Sequence, residues 1–204
     1  MRLVGVFAKL FLFLLILFIV GRAFFFITYF RELSEIRFSE VILSFYHAVP
    51  LDISAICFVL ALPFLLFLLQ LFWNRNFLTF FINAYIRVVV ILVALIAAGE
   101  IAVYKDWGVK LHYKIFIHMK NPAEMFHTGH FGHFLSFFIS LSVISLIGLK
   151  IYTKYFKLKP LAIDRYLTSA QGNFRVRLYH LMVYLLTLGI MIIAMRGGLQ
   201  PIPI

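Results

Sequence analysis

Long apolar blocks separated by short polar stretches set the pattern of this chain. A membrane-spanning helix needs roughly 20 mostly apolar residues, and five stretches meet that need. The first covers about Val4 to Thr28. The second, Leu51 to Phe72, contains "ISAICFVLALPFLLFLLQLF". The third, about Ile86 to Tyr104, contains "VVVILVALIAA". The fourth runs from about Phe131 to Lys150 and the fifth from about Tyr179 to Met195. The pattern predicts an all-α integral membrane protein, a five-transmembrane-helix bundle. Pro63 falls inside the second span, where it is expected to kink the helix and free a carbonyl that neighbouring helices can satisfy.

The first block opens like a secretory signal, with Arg2 and Lys9 before a Leu/Phe core. It continues into "GRAFFFITYF", whose bulky aromatics offer no small-residue cleavage site, so it reads as an uncleaved anchor. Orientation follows the basic residues. Between the fourth and fifth spans stand Lys150, Lys154, Lys157, Lys159, Arg165, Arg175 and Arg177, against Asp164 alone. Such a loop stays in the cytoplasm. Arg2, Lys9 and the turn "WNRN" fall on the same side. The stretches Tyr29 to Pro50 and Glu100 to His130, both read as outer loops, balance their charges. The N-terminus is therefore expected in the cytoplasm and the C-terminus outside. The long segment between helices 3 and 4, "YKDWGVKLHYKIFIHMKNPAEMFHTGHF", mixes aromatics with lysines and reads as an amphipathic outer loop lying in the interface, or as a loop folded over the bundle.

Composition agrees. Of 204 residues 64% are hydrophobic and 13% charged, where soluble domains run at about 45–50% and about 25%. The mean hydropathy is +1.01. The single cysteine, Cys57, excludes an intramolecular disulfide framework. The net charge of +11 reflects basic cytoplasmic loops rather than a nucleic-acid partner.

Candidate chemistry is sparse. "FHTGHFGHF" carries His127, His130 and His133 at a spacing that could approach a metal or haem. Gly129 and Gly132 weaken a helix there, and interfacial histidines are the better reading; no metal site is expected in this chain. Charges near the membrane say more. Arg22 lies thirteen residues beyond Lys9, about 20 Å along a helix. Glu100 lies equally far beyond Arg87. Asp52 opens the second span and Arg196 closes the fifth. Arg22, Asp52, Glu100 and Arg196 thus share the outer level on four helices. Charges at that depth need pairing or hydration. They read either as ion pairs that fix helix order or as a pocket for a phospholipid headgroup. Lys105, Trp107, Lys110 and Lys114 in the adjoining loop could anchor it or meet a lipid phosphate.

Two stretches carry a family resemblance. "GEIAVYKDWGVKLHYK", residues 99 to 114, and the closing "RGGLQPIPI" resemble the segment after the third span and the end of the fifth span in lipoteichoic acid synthase-like proteins. These belong with sulfatase-family transferases of the alkaline phosphatase superfamily. The resemblance covers the chain in topology and is motif-level in those stretches. It implies a membrane domain over residues 1–196 and, over 197–204, the start of a linker to an extracytoplasmic sulfatase-type catalytic domain. Gly197 and Gly198 would end the helix, and Pro201 and Pro203 would hold the chain extended. The implied location is the bacterial plasma membrane, multi-pass. The implied activity of the full-length enzyme is transfer of a phosphoglycerol or phosphoethanolamine headgroup from a membrane phospholipid, or hydrolysis on the same fold. Its nucleophile and its divalent metal (Mn, Mg or Zn) would sit in the catalytic domain, so neither catalytic residues nor cofactor are expected in this chain. A small transporter, or an anchor or scaffold without catalysis, is the alternative.

The charge asymmetry predicts a definite topology. A reporter fused after Ile204 should be active only outside the cytoplasm, and one fused near Lys157 only inside. The opposite pattern at either site overturns the five-span reading.

Overall fold

The computed structural model describes residues 2–32, 37–72, 76–107, 131–158 and 174–196. Among these, all regular structure is helical. The elements are α1 (Arg2–Thr28), α2 (Phe38–Phe72), α3 (Asn76–Trp107), α4 (Phe131–Ile151), a π-helical turn (Tyr152–Phe156) and α5 (Phe174–Met195). Four segments are long and apolar enough to cross a membrane: Gly5–Thr28, Phe38–Leu69, Phe77–Tyr104 and Phe134–Phe156. In α5 the apolar stretch among the described residues is shorter, Met182–Met195. Many large apolar side chains, among them Phe58, Leu65, Phe80, Leu92 and Phe138, are exposed. Such surfaces suit lipid, because the helices already satisfy their own backbone. The chain is a multi-pass membrane protein.

The outer loop expected over Tyr29 to Pro50 is corrected in part. Helix α2 starts at Phe38, well before the apolar block, and carries both Pro50 and Pro63 in its interior. The Arg37 carbonyl accepts from the Glu40 and Val41 amides at 2.8 and 3.3 Å, which nucleates the first turn. Glu40 there complements the positive helix end. Phe38, Ile42, Tyr46 and Val49 then recur at helical spacing as an exposed apolar stripe. With 35 residues, α2 is about 52 Å long, beyond the roughly 30 Å of a hydrocarbon core. The fourth helix also outruns its expected end. The Lys157 amide donates to the Tyr152 carbonyl at 2.7 Å, a five-residue closure that continues the helical path past Lys150.

The contacts divide the chain into two compact units. One comprises Met1–Ile16, Ile36–Arg87 and Tyr152–Ile204. Here α2 packs against α5. Ser54 meets Met195 and Phe64 meets Tyr184, so the two helices run antiparallel. Phe7 of α1 sets its ring against Phe64 and Phe67 at 5.3 Å in each case. Pro63 lacks the N–H that would bond the Val59 carbonyl. The Tyr85 hydroxyl of α3 donates to that carbonyl at 2.9 Å, as expected for a proline inside a span.

A buried amide fastens the π-helical turn in the same unit. Asn83 of α3 donates through Nδ2 to the carbonyls of Thr79, at 2.9 Å, and Leu158, at 3.1 Å. Its Oδ1 accepts from the Tyr152 hydroxyl at 2.6 Å and the Leu158 amide at 3.0 Å. Every donor and acceptor position of the side chain is used. Phe13 packs beside this node, its ring 5.2 Å from Tyr152 and 5.1 Å from Phe156.

The other unit comprises Leu17–Glu35 and Val88–Ile151. Its core joins Phe25, Tyr29, Ala94, Ile101 and Ile144. Gly21 faces Ala97, and Phe25 and Tyr29 face Tyr104, so these parts of α1 and α3 run in the same direction. Gly148 of α4 has no room for a side chain. An added Cβ would lie 2.7 Å from Val90 Cγ1 and 3.0 Å from Leu17 Cδ1.

That fit gives a stability prediction. Gly148→Ala should lower the thermal midpoint in detergent, with an overpacking cost of about 1–3 kcal/mol. Adding Val90→Ala should recover part of it. A Gly148→Ala protein as stable as wild type would show that the helices do not approach this closely.

Candidate functional site

Of the four charges expected at the outer level, two fall in each unit. In the second unit Arg22 and Glu100 are both half-buried. The Gly21–Ala97 approach, with Cβ positions 3.5 Å apart, brings the helices together at this level. Arg22 follows Gly21, and Glu100 lies one turn beyond Ala97. Both residues are engaged with partners rather than left bare. A Cβ added at Gly21 would meet Ala97 at ordinary van der Waals distance, so the helices pack here without demanding the glycine.

An aromatic cluster completes this end of the unit. The Phe25 ring lies 4.9 Å from Tyr104 and 5.1 Å from Tyr29, and Tyr29 lies 4.8 Å from Tyr104. The Tyr29 hydroxyl donates to the Ile101 carbonyl across the interface. The Thr28 hydroxyl returns to the Phe24 carbonyl at 2.9 Å. The result is a platform of three packed rings, with Arg22 and Glu100 each one turn away along its helix. Its chemistry suits a molecule with both charged and apolar parts. Nothing in it resembles an activated nucleophile.

Asp52 and Arg196 belong to the first unit. Asp52 is 4% exposed, and it is engaged with a partner. Arg196 is exposed, one residue past α5. Two residues beyond Asp52, the Ser54 hydroxyl donates to the Met195 carbonyl at 2.7 Å and caps the last turn of α5. That bond fixes both charged residues at the α2–α5 junction.

The remaining expectations meet the structure only in part. Lys105 and Trp107 stand in the last turns of α3. Lys110 and Lys114, with the rest of the amphipathic outer loop, lie outside the described residues. So do His127 and His130 of the histidine motif, and the stretch 197–204. Among the described residues no three His, Cys, Asp or Glu side chains gather as metal ligands would.

Comparison with protein-family models, with curated proteins and with solved structures gives no match.

Sequence reasoning named Arg22 and Glu100 but missed Tyr29, Tyr85 and Asn83. Each is a polar side chain beside or within an apolar block, in "FFFITYF" and "FINAYIR". Polar residues in such blocks must find partners, and that signal was available.

The platform predicts coupling between charge and packing. Glu100→Ala should lower the thermal midpoint in detergent, by about 1.5–3 kcal/mol for a lost hydrogen bond to a charged group. An unchanged midpoint would mean that the carboxylate does not help hold α1 to α3.

Proposed function

We propose that the chain is the membrane domain of a lipoteichoic acid synthase-like enzyme. In this reading it has five spans, with the N-terminus in the cytoplasm of a bacterium and the C-terminus outside. It anchors an extracytoplasmic sulfatase-type catalytic domain and presents phospholipid to it from the outer leaflet. The headgroup transferred is of phosphoglycerol type, and the divalent metal and the nucleophile belong to the catalytic domain.

One observation carries the proposal. Tyr104, from the stretch that resembles this family, packs its ring against Phe25 and Tyr29, with Glu100 one turn before it on α3 and Arg22 one turn before Phe25 on α1. A phospholipid headgroup presents a phosphate to Arg22, while aromatic rings with a polar edge are stable at headgroup level. Lys105, Trp107, Lys110 and Lys114 would add donors from the outer loop, each lysine contributing roughly 1 kcal/mol near a charged surface. Two features of direction support the topology. Parts of α1 and α3 run in the same sense, and α2 and α5 run in opposite senses. Alternating passes through a membrane require both.

Two measurements test the reading. The frame beyond codon 204 should continue into a sulfatase-type domain; a stop codon there would favour the anchor or transporter alternative. Photoactivatable phosphatidylglycerol in nanodiscs should label residues 22–29 and 100–107, and Arg22→Gln should reduce that labelling. Labelling spread evenly over all apolar surfaces would leave the platform as packing only.

A further inference from the structure

The node around Asn83 gathers cations that the outer platform does not use. Lys154 and Lys157 stand on and just after the π-helical turn, and both are exposed. The Asn83 bonds to Tyr152 and Leu158 hold that turn in place from both ends. Lys9 of α1 reaches it as well, with Nζ 5.8 Å from the centre of the Phe156 ring. The Lys154 ammonium lies 5.0 Å from the Tyr155 ring. Contacts of this kind orient an ammonium while leaving its N–H donors available.

Arg87 is the unusual member. It lies eleven residues into α3, about 17 Å from Asn76, well inside the Phe77–Tyr104 segment. It follows Asn83 by four residues and sits about 40° around the helix from it, at the edge of the buried face. One turn before it, Asn83 accepts from the Tyr152 hydroxyl. Its side chain is exposed, and the exposed apolar Phe77 and Phe80 precede it on α3. A guanidinium in apolar surroundings is costly without an anion or water. The chain offers no carboxylate near it along α2 or α3, because no Asp or Glu occurs between Asp52 and Glu100.

We propose that Arg87, Lys9, Lys154 and Lys157 form a binding site for the phosphate of an anionic phospholipid, on the first unit around the π-helical turn. The phosphate accepts from Arg87 and the lysines, while the acyl chains lie along Phe77 and Phe80. A free phosphate would leave that apolar strip without a partner, which favours the lipid as occupant. A cytoplasmic charge bias accounts for the lysines alone. The Arg87 guanidinium adds a planar donor one turn from Asn83, beside the apolar strip. The site is independent of the outer platform and of the function proposed for it.

The test uses the purified full chain in phosphatidylcholine nanodiscs doped with photoactivatable phosphatidylserine. Labelling should concentrate in residues 77–87 and 152–158. Removing three cations together, in Arg87→Gln/Lys154→Gln/Lys157→Gln, should reduce it by more than about tenfold. Arg37→Gln should leave it unchanged, and Arg87→Lys should retain most of it, which separates lost charge from lost folding. Millimolar inorganic phosphate should not compete. Equal labelling of wild type and the triple variant would overturn the site. So would displacement by phosphate, which would mark a free-anion site instead.

Discussion

Backbone groups that their own helices leave unbonded are the constraint on which this structure depends. In an apolar surround each such group costs free energy unless another group meets it. The chain meets them with side chains from neighbouring helices. Tyr85 takes the carbonyl that Pro63 frees, and Ser54 takes the last carbonyl of α5. Asn83 takes both backbone groups of Leu158, where the π-helical turn ends. These bonds tie together segments that packing of similar apolar side chains would specify only weakly, since lipid is as apolar as leucine. Removal of any one acceptor or donor strands its partner, which is why a few polar residues weigh so heavily in a chain that is 64% hydrophobic.

Close approach is the second device, and it depends on residue size. Gly21 faces Ala97, while Gly148 meets Val90 and Leu17. Where helices come this near, their charged and aromatic residues are held in fixed positions. Tyr29 and Tyr104 are held by their ring contact and by the Tyr29 bond to the Ile101 carbonyl. Asn83 does the same for Lys154 and Lys157 by fixing the turn that carries them. In both places apolar packing surrounds a small number of polar groups.

Much of the fold was legible from apolar block length alone. The first and fourth blocks became α1 and α4, the third became the later part of an α3 that starts at Asn76 rather than near Ile86, and Pro63 found the partner that its chemistry demands. The start of α2 was not legible, because Glu40, His47 and Pro50 read as loop residues and interrupt the apolar run. Only the spacing of Phe38, Ile42, Tyr46 and Val49 betrays the helix, and hydropathy does not register spacing. Of the candidate site, Arg22 and Glu100 were legible as charges out of place. Their placement beside Tyr29 and Tyr104 was not, because it depends on which helix faces meet. The Asn83 node was overlooked for a different reason. An amide carries no charge, and its four partners come from backbone and from residues about seventy positions away.

The account stands most directly on Asn83, and hydrogen–deuterium exchange at Lys157 and Leu158 tests it. Both amides should be strongly protected in the wild-type protein, since one closes the π-helical turn and the other bonds Oδ1. In Asn83→Ala the Leu158 amide and the Tyr152 hydroxyl lose their acceptor, at about 1–3 kcal/mol for each stranded group. Protection at both amides should then collapse, and adding Tyr152→Phe should cost little further, because the two side chains act as one unit. Unaltered protection at Lys157 and Leu158 in Asn83→Ala would contradict the claim that this amide fastens the turn.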